Sequence, residues 1–426
     1  MTVPATGSKG DLPRTGAAAL VLGSGGARGA YEVGVLRFLF EDLARELGGV
    51  PRIDVICGTS AGALNALGLA AFIQQPQHGV AFLASRWREL RLDQMVQPRR
   101  LEIVRLFRSI LGCPAPFRAA AAGGGRGILD PRPFWALLSG SPDLDRIGDI
   151  FRKGYLDALA FTATEIATGQ TTVFVQRSTT AVRPAPSWGT AFIECDDLGP
   201  RHALASAAIP FLFRPVRIGG RLFCDGSLRQ SVPLSPALHL GAERLVVVST
   251  QHQPVSEPSR PVPEREAAAS SPVYLLGKAI NALTLDRIDD DLHRLDSVNR
   301  WLEAGQQACG GDFVSRMNER LAASNARAVR PVQTVLIRPS ESLGRLAADY
   351  VRGAAFRARQ GGSLGTLFGR LSEAEASDEA DLISYLMFDG GFATTLMELG
   401  YHDARKRGAE LTSLFQDQGC RGARQV

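Results

Sequence analysis

Two units of strand, glycine turn and helix follow one another near the start of this chain, and that succession constrains the fold more than any other feature. Ala17 to Gly23 (AAALVLG) is a short apolar run ending in glycine, and Arg28 to Leu47 then carries apolar residues on nearly every side, as a buried helix does. The pattern returns at Ile53 to Gly58 (IDVICG), a run of β-formers closed by glycine, followed by the small-residue helix Ala61 to Ile73. Consecutive strands joined through helices are expected to lie parallel, with the helices packed over the sheet. Further β-like runs at Ala158–Glu165, Thr171–Gln176, Leu222–Asp225, Arg244–Thr250 and Val332–Arg338 would extend that sheet. The fold class expected is α/β.

Composition narrows the alternatives. With 426 residues, 45% hydrophobic and 21% charged, the chain has enough apolar side chains for a sizeable core, which excludes a disordered, collagen-like or disulfide-scaffold protein. The six cysteines lie far apart with no C-x-x-C or paired Cys/His spacing, so neither a metal site nor a disulfide framework is indicated, and no cofactor is expected. No window reaches the roughly 18 consecutive apolar residues of a spanning helix. Met1 to Gly16 is polar and lacks an apolar signal region, so a loose tail on a cytoplasmic protein is the expectation.

Three segments interrupt the α/β pattern. Residues 76–133 form a basic insertion, in which ten arginines between Arg86 and Arg132 face only four acidic residues. Within it Leu101, Val104, Phe107 and Leu111 share one helical face. Residues 253–272 are rich in proline and read as a surface loop. Ala279 to Gly305 has Leu285, Ile288, Leu292, Leu295, Val298 and Leu302 at helical spacing, opposite an acidic face. After the strand at Val332 the chain reads as helical to the end, as in Asp381 to Leu399, with a polar tail after Phe415.

The turns carry the chemistry. Gly23-Ser24-Gly25-Gly26-Ala27-Arg28-Gly29 joins a strand to a helix and presents backbone N–H groups with a helix dipole, an arrangement suited to negative charge. A dinucleotide-binding oxidoreductase loop is the rival, but Arg28 stands where the third glycine of G-x-G-x-x-G belongs. Gly58-Thr59-Ser60-Ala61-Gly62 matches G-x-S-x-G, the sharp strand-to-helix turn that exposes a serine hydroxyl. A second match at Gly361–Gly365 follows a basic stretch rather than a strand, so Ser60, and not Ser363, is taken as the nucleophile. A serine needs a base. Asp225 with His239 or His252 would satisfy the chain order of a Ser-Asp-His triad, and Asp225 alone is the other option.

These elements occur together and in order, and so the sequence resembles the patatin-like phospholipase family. Gly25-Gly26-Ala27-Arg28-Gly29 corresponds to its G-G-x-R-G loop, Gly58 to Gly62 to its elbow, and Asp225-Gly226-Ser227 to its D-G-G or D-G-A, with Ser227 departing from the pattern. Ala205-Ser206-Ala207-Ala208-Ile209-Pro210 also looks like the family's approach to the aspartate. The resemblance runs from Ala17 to about Thr250. It implies a three-layer α/β/α catalytic domain over residues 17–340, with a helical extension over residues 341–426. It also implies a serine lipid acyl hydrolase with a Ser60–Asp225 dyad and no histidine. Gly58 and Gly62 would shape the elbow, and Gly25, Gly26, Ala27 and Arg28 would form the oxyanion hole, with Arg28 either bracing the loop or meeting a substrate phosphate.

The implied substrate is a phospholipid or another acyl lipid. Arg99, Arg100, Arg105 and Arg108 are the candidates for peripheral contact with an anionic membrane, the alternative being a helix packed over the site as a lid. Nucleic acid is not an expected partner, since no recognition motif accompanies the charge. A non-catalytic lipid-binding protein of the same fold is the second functional class. The sequence carries no signal for oligomeric state.

Overall fold

The computed structural model describes residues 16–92, 144, 147–179, 181–182, 189–210, 212–252, 288–324, 328–354, 356 and 381–416. The insertion arginines Arg99, Arg100, Arg105 and Arg108, the proline-rich loop and Ser363 all lie outside these residues.

Nine strands among the described residues form one sheet. They are β1 (Ala18–Leu22), β2 (Val55–Thr59), β3 (Ala158–Glu165), β4 (Thr171–Arg177), β5 (Thr190–Glu194), β6 (Val216–Ile218), β7 (Arg221–Asp225), β8 (Arg244–Val248) and β9 (Gln333–Ile337). The order is β5-β4-β3-β2-β1-β8-β9, parallel except where β3 meets β4 and β7 and where β6 meets β7. Strands β5 and β6 were not foreseen from the sequence. The β6–β7 hairpin turns at Gly219-Gly220, both at positive φ, which is the backbone that a tight hairpin turn demands.

Buried strands read as continuous apolar runs because both faces are covered. Ala18, Leu20 and Leu22 of β1 join one core, and Ala19 and Val21 join the other. On the first face lie α1 (Ala30–Arg37), which continues through a π-helical turn to Glu46, together with α2 (Ala61–Ala71) and α3 (Pro76–Glu89). On the second lie α4 (Leu234–His239) and the start of α5 (Ile288–Cys309). The amphipathic helix expected from residue 279 is therefore seen from Ile288, residues 279–287 being outside the described set, and it runs on to Cys309.

The C-terminal helices share the first core. After α6 (Leu343–Arg352), the helical stretch expected over Asp381–Leu399 is split into α7 (Asp381–Leu386) and α8 (Gly390–Lys406). Asp389 causes the break: its carboxylate accepts the Gly391 and Phe392 amides as an N-cap, starting a new helix. Helix α8 lies against α1 at backbone contact. A Cβ at Gly34 would sit 1.9 Å from the Met397 carbonyl oxygen, and one at Gly400 would sit 2.0 Å from that of Tyr31.

Candidate active site

Ser60 and Asp225 meet because β3 acts as a ruler for two other strands. Its residue Thr162 pairs with Thr59, the last residue of β2, and its next residue, Ala163, pairs with Asp225, the last residue of β7. Strand β4 occupies the other edge of β3, so β2 and β7 run end to end along a single edge. The residue after β2 and the residue ending β7 are thereby brought together from 165 positions apart. Thr164 reinforces the register by donating its hydroxyl to the Asp225 carbonyl at 2.9 Å.

Ser60 has φ 57° and ψ −122°, and among the described residues it is the one non-glycine residue at positive φ. Strain of this kind is held only where surrounding structure over-determines it. The elbow glycines supply part of that constraint through close backbone approach. A Cβ at Gly62 would lie 2.4 Å from the Leu22 carbonyl oxygen, and one at Gly58 would lie 2.4 Å from that of Gly62. Ser206 supplies more, since its hydroxyl accepts the Ser60 amide at 2.9 Å and donates to the Thr162 carbonyl at 2.6 Å.

The Ser60 hydroxyl donates to Asp225 Oδ2 at 2.6 Å, and the Ser227 amide donates to Asp225 Oδ1 at 2.8 Å. Both side chains are buried. Burial pushes the Asp225 carboxyl up to about 6, against the opposing effect of the Ser60 and Ser227 hydrogen bonds. The histidines weighed as triad members are engaged elsewhere: His239 Nδ1 bonds within α4 to Ser235, and His252 Nδ1 donates to the Pro339 carbonyl at 2.9 Å.

The glycine loop runs beside the elbow, with the Gly62 amide donating to the Gly23 carbonyl at 3.1 Å. Gly26 sits at φ 56°, a backbone that favours glycine, and Gly26–Gly29 closes into a single 3₁₀ turn. Among the described residues no backbone carbonyl accepts from the amides of Gly25, Gly26 or Ala27. The Arg28 side chain is buried and turned into the protein, where its Nε donates to Ser384 Oγ at 2.7 Å.

Sequence reasoning missed a buried polar brace behind this loop. Asn65 of α2 donates to the Gly29 carbonyl at 2.9 Å and to Glu32 Oε2 at 2.8 Å, while Trp87 Nε1 donates to Asn65 Oδ1 at 2.9 Å. Burial holds the Glu32 carboxyl well above the usual carboxylate range, partly offset by the Asn65 bond. The available signal was Asn65 itself, the lone polar side chain in AGALNALGLAA. Ser384 offered no comparable signal.

A model of the family described as patatin-like phospholipase matches residues 20–238, just over half of the 426 residues. No curated protein matches the chain. Among solved structures, the chain is similar to the crystal structure of VipD from Legionella pneumophila, at 11% sequence identity and a TM-score of 0.32, with 94% of this chain and 67% of that one covered. Among the described residues no helix is long and apolar enough to cross a membrane. The matched span holds Leu20 to Leu22 of β1, the glycine turn, the Ser60 elbow and the strand ending at Asp225, and on that match the chain belongs to the patatin-like phospholipase family, a family of lipid acyl hydrolases.

Proposed function

We propose that this chain is a carboxylic ester hydrolase of acyl lipids that works through a Ser60–Asp225 dyad without histidine. The observation that carries the reading is the 2.6 Å hydrogen bond from the Ser60 hydroxyl to a fully buried carboxylate. An ordinary aspartate, near 3.9, is a weak base at neutral pH, whereas burial brings Asp225 to about 6 and narrows the gap to the serine proton it must take.

Ser60 Oγ attacks the ester carbonyl as its proton passes to Asp225 Oδ2, and the Ser227 amide on Oδ1 keeps the carboxylate aimed. The amides of Gly25, Gly26 and Ala27 hold the oxyanion, an effect worth about 10²- to 10³-fold in rate per donor. Asp225 returns the proton to the departing alkoxide, then takes one from the water that cleaves the acyl-enzyme. A phospholipid or another acyl lipid is the substrate class, and the insertion arginines Arg99, Arg100, Arg105 and Arg108 are proposed to meet an anionic lipid surface.

The test is free fatty acid release from mixed phospholipid and neutral-lipid vesicles, read by mass spectrometry, for wild type beside Ser60→Ala and Asp225→Asn. Release by wild type alone is expected, together with fluorophosphonate labelling at Ser60. Near wild-type turnover in Asp225→Asn would sink the dyad.

A further inference from the structure

The oxyanion loop is held from two sides, and one of them lies far outside the family's matched span. On the near side the Thr250 hydroxyl, just past β8, donates to the Ser24 carbonyl at 2.5 Å. On the far side stands α7. Ser384 accepts Arg28 Nε at 2.7 Å, and the Tyr385 ring lies under the guanidinium, 3.9 Å from ring centroid to Cζ. The Tyr385 carbonyl also crowds the loop, since a Cβ on Gly26 would come within 2.7 Å of its oxygen. Gln251 ties the two sides together by donating to the Tyr385 hydroxyl at 2.6 Å. All three of Arg28, Ser384 and Tyr385 are buried.

The direction of a backbone N–H is set by the peptide planes around it, and a loop of three glycines within five residues has little intrinsic resistance to their rotation. Arg28 is the first residue after the proposed donors, and its side chain reaches a fixed partner. Its guanidinium is planar and offers both a directed N–H and a face for stacking, so a hydroxyl acceptor beside an aromatic ring fixes its position and its orientation together. Helix α8, which follows α7, is locked by backbone contact to α1, which begins one residue after the loop. Clamp and loop are therefore mounted on a single rigid pair of helices.

We propose that Ser384 and Tyr385 are positioning residues for ester hydrolysis, acting through Arg28 to aim the amides of Gly25, Gly26 and Ala27 at the developing oxyanion. This rests on the Ser60–Asp225 reading, and it adds that kcat is set in part by a segment outside the family's matched residues. An oxyanion donor turned away from its target costs transition-state binding and leaves ground-state binding intact.

The test pairs kinetics on a soluble short-chain ester with amide hydrogen exchange of the peptide spanning Gly25 to Gly29. Ser384→Ala and Tyr385→Leu are expected to lower kcat by tenfold or more with KM within about twofold, and to speed exchange in that peptide while β2 stays protected. Ser384→Thr keeps the acceptor and Tyr385→Phe keeps the ring, so both are expected to stay within about threefold of wild type, which a general loss of packing would not produce. Unchanged exchange at Gly25–Gly29 in Ser384→Ala and Tyr385→Leu overturns the proposal, as does a loss that appears in KM alone. Failure of the dyad would show separately, as turnover that survives Ser60→Ala or Asp225→Asn, and the exchange readout holds in either case.

Discussion

Replacing Asp225 with asparagine is expected to stabilise the protein while silencing it, and the gain should depend on pH in a defined way. The carboxyl is buried, and burial lifts it from 3.8 to about 6. An acid with a higher pKa in the folded state holds its proton more tightly there. Its favourable contribution is therefore complete below 3.8 and is lost as pH rises through about 6. At 1.36 kcal/mol per pH unit, carrying the charge at pH 8 costs roughly 3 kcal/mol. Asparagine is neutral throughout, its Oδ1 can still accept the Ser227 amide, and its Nδ2 can donate to Ser60. The variant should thus gain roughly 3 kcal/mol at pH 8 and about half of that at pH 5. For 426 residues, with an unfolding entropy of about 2.1 cal/mol/K per residue, this is a rise of about 3 °C in Tm at pH 8. Thermal unfolding of wild type and Asp225→Asn at the two pH values measures it directly. Coincident curves at pH 8, or an offset that does not shrink toward pH 5, would refute the assignment of Asp225 as a carboxylate held against its desolvation.

Three further outcomes follow from the same geometry. The kcat/KM for a soluble ester should fall tenfold per pH unit below about 6, because only the ionised Asp225 accepts the serine proton, and a flat profile from pH 5 to 8 would count against it. Ser60→Gly should be more stable than Ser60→Ala by about 1–3 kcal/mol in urea titrations, since both lose the Asp225 bond and only glycine is relaxed at φ 57°. Gly62→Ala places a methyl against the Leu22 carbonyl at 2.4 Å and should cost roughly 1–3 kcal/mol or more, with loss of activity as the elbow moves.

What was legible in the sequence is what local geometry demands. Gly58, Ser60 and Gly62 are written next to one another because one sharp turn needs all three. Gly25 to Gly29 and Asp225-Gly226 are similarly compact. The sheet was readable through its apolar runs, although β5 and β6 were missed: β5 is half-exposed along its length, and β6 is three residues long. The tertiary partners were not legible. Ser206 under the Ser60 amide, Ser384 on Arg28 and the Gly34–Gly400 contact zone belong to pairings of residue types that are common everywhere in a chain. Only the register of β3 and the docking of α8 on α1 bring them into contact. The split at Asp389 was written locally, as an aspartate before Gly390-Gly391 that can cap a new helix.

The separation of 356 positions between Arg28 and Ser384 has a bearing on how the protein is made. Translation proceeds at about 5–20 residues per second, so the glycine loop leaves the ribosome roughly 20–70 s before the hydroxyl that anchors its arginine. Ser60 and Asp225 are both present long before that. A growing chain thus holds the proposed nucleophile and base while the anchor of the glycine loop is still unmade, and on the proposed mechanism ester cleavage awaits a late stage of synthesis. On the proposed mechanism, the long loop closure acts as a timer that keeps unfinished chains quiet.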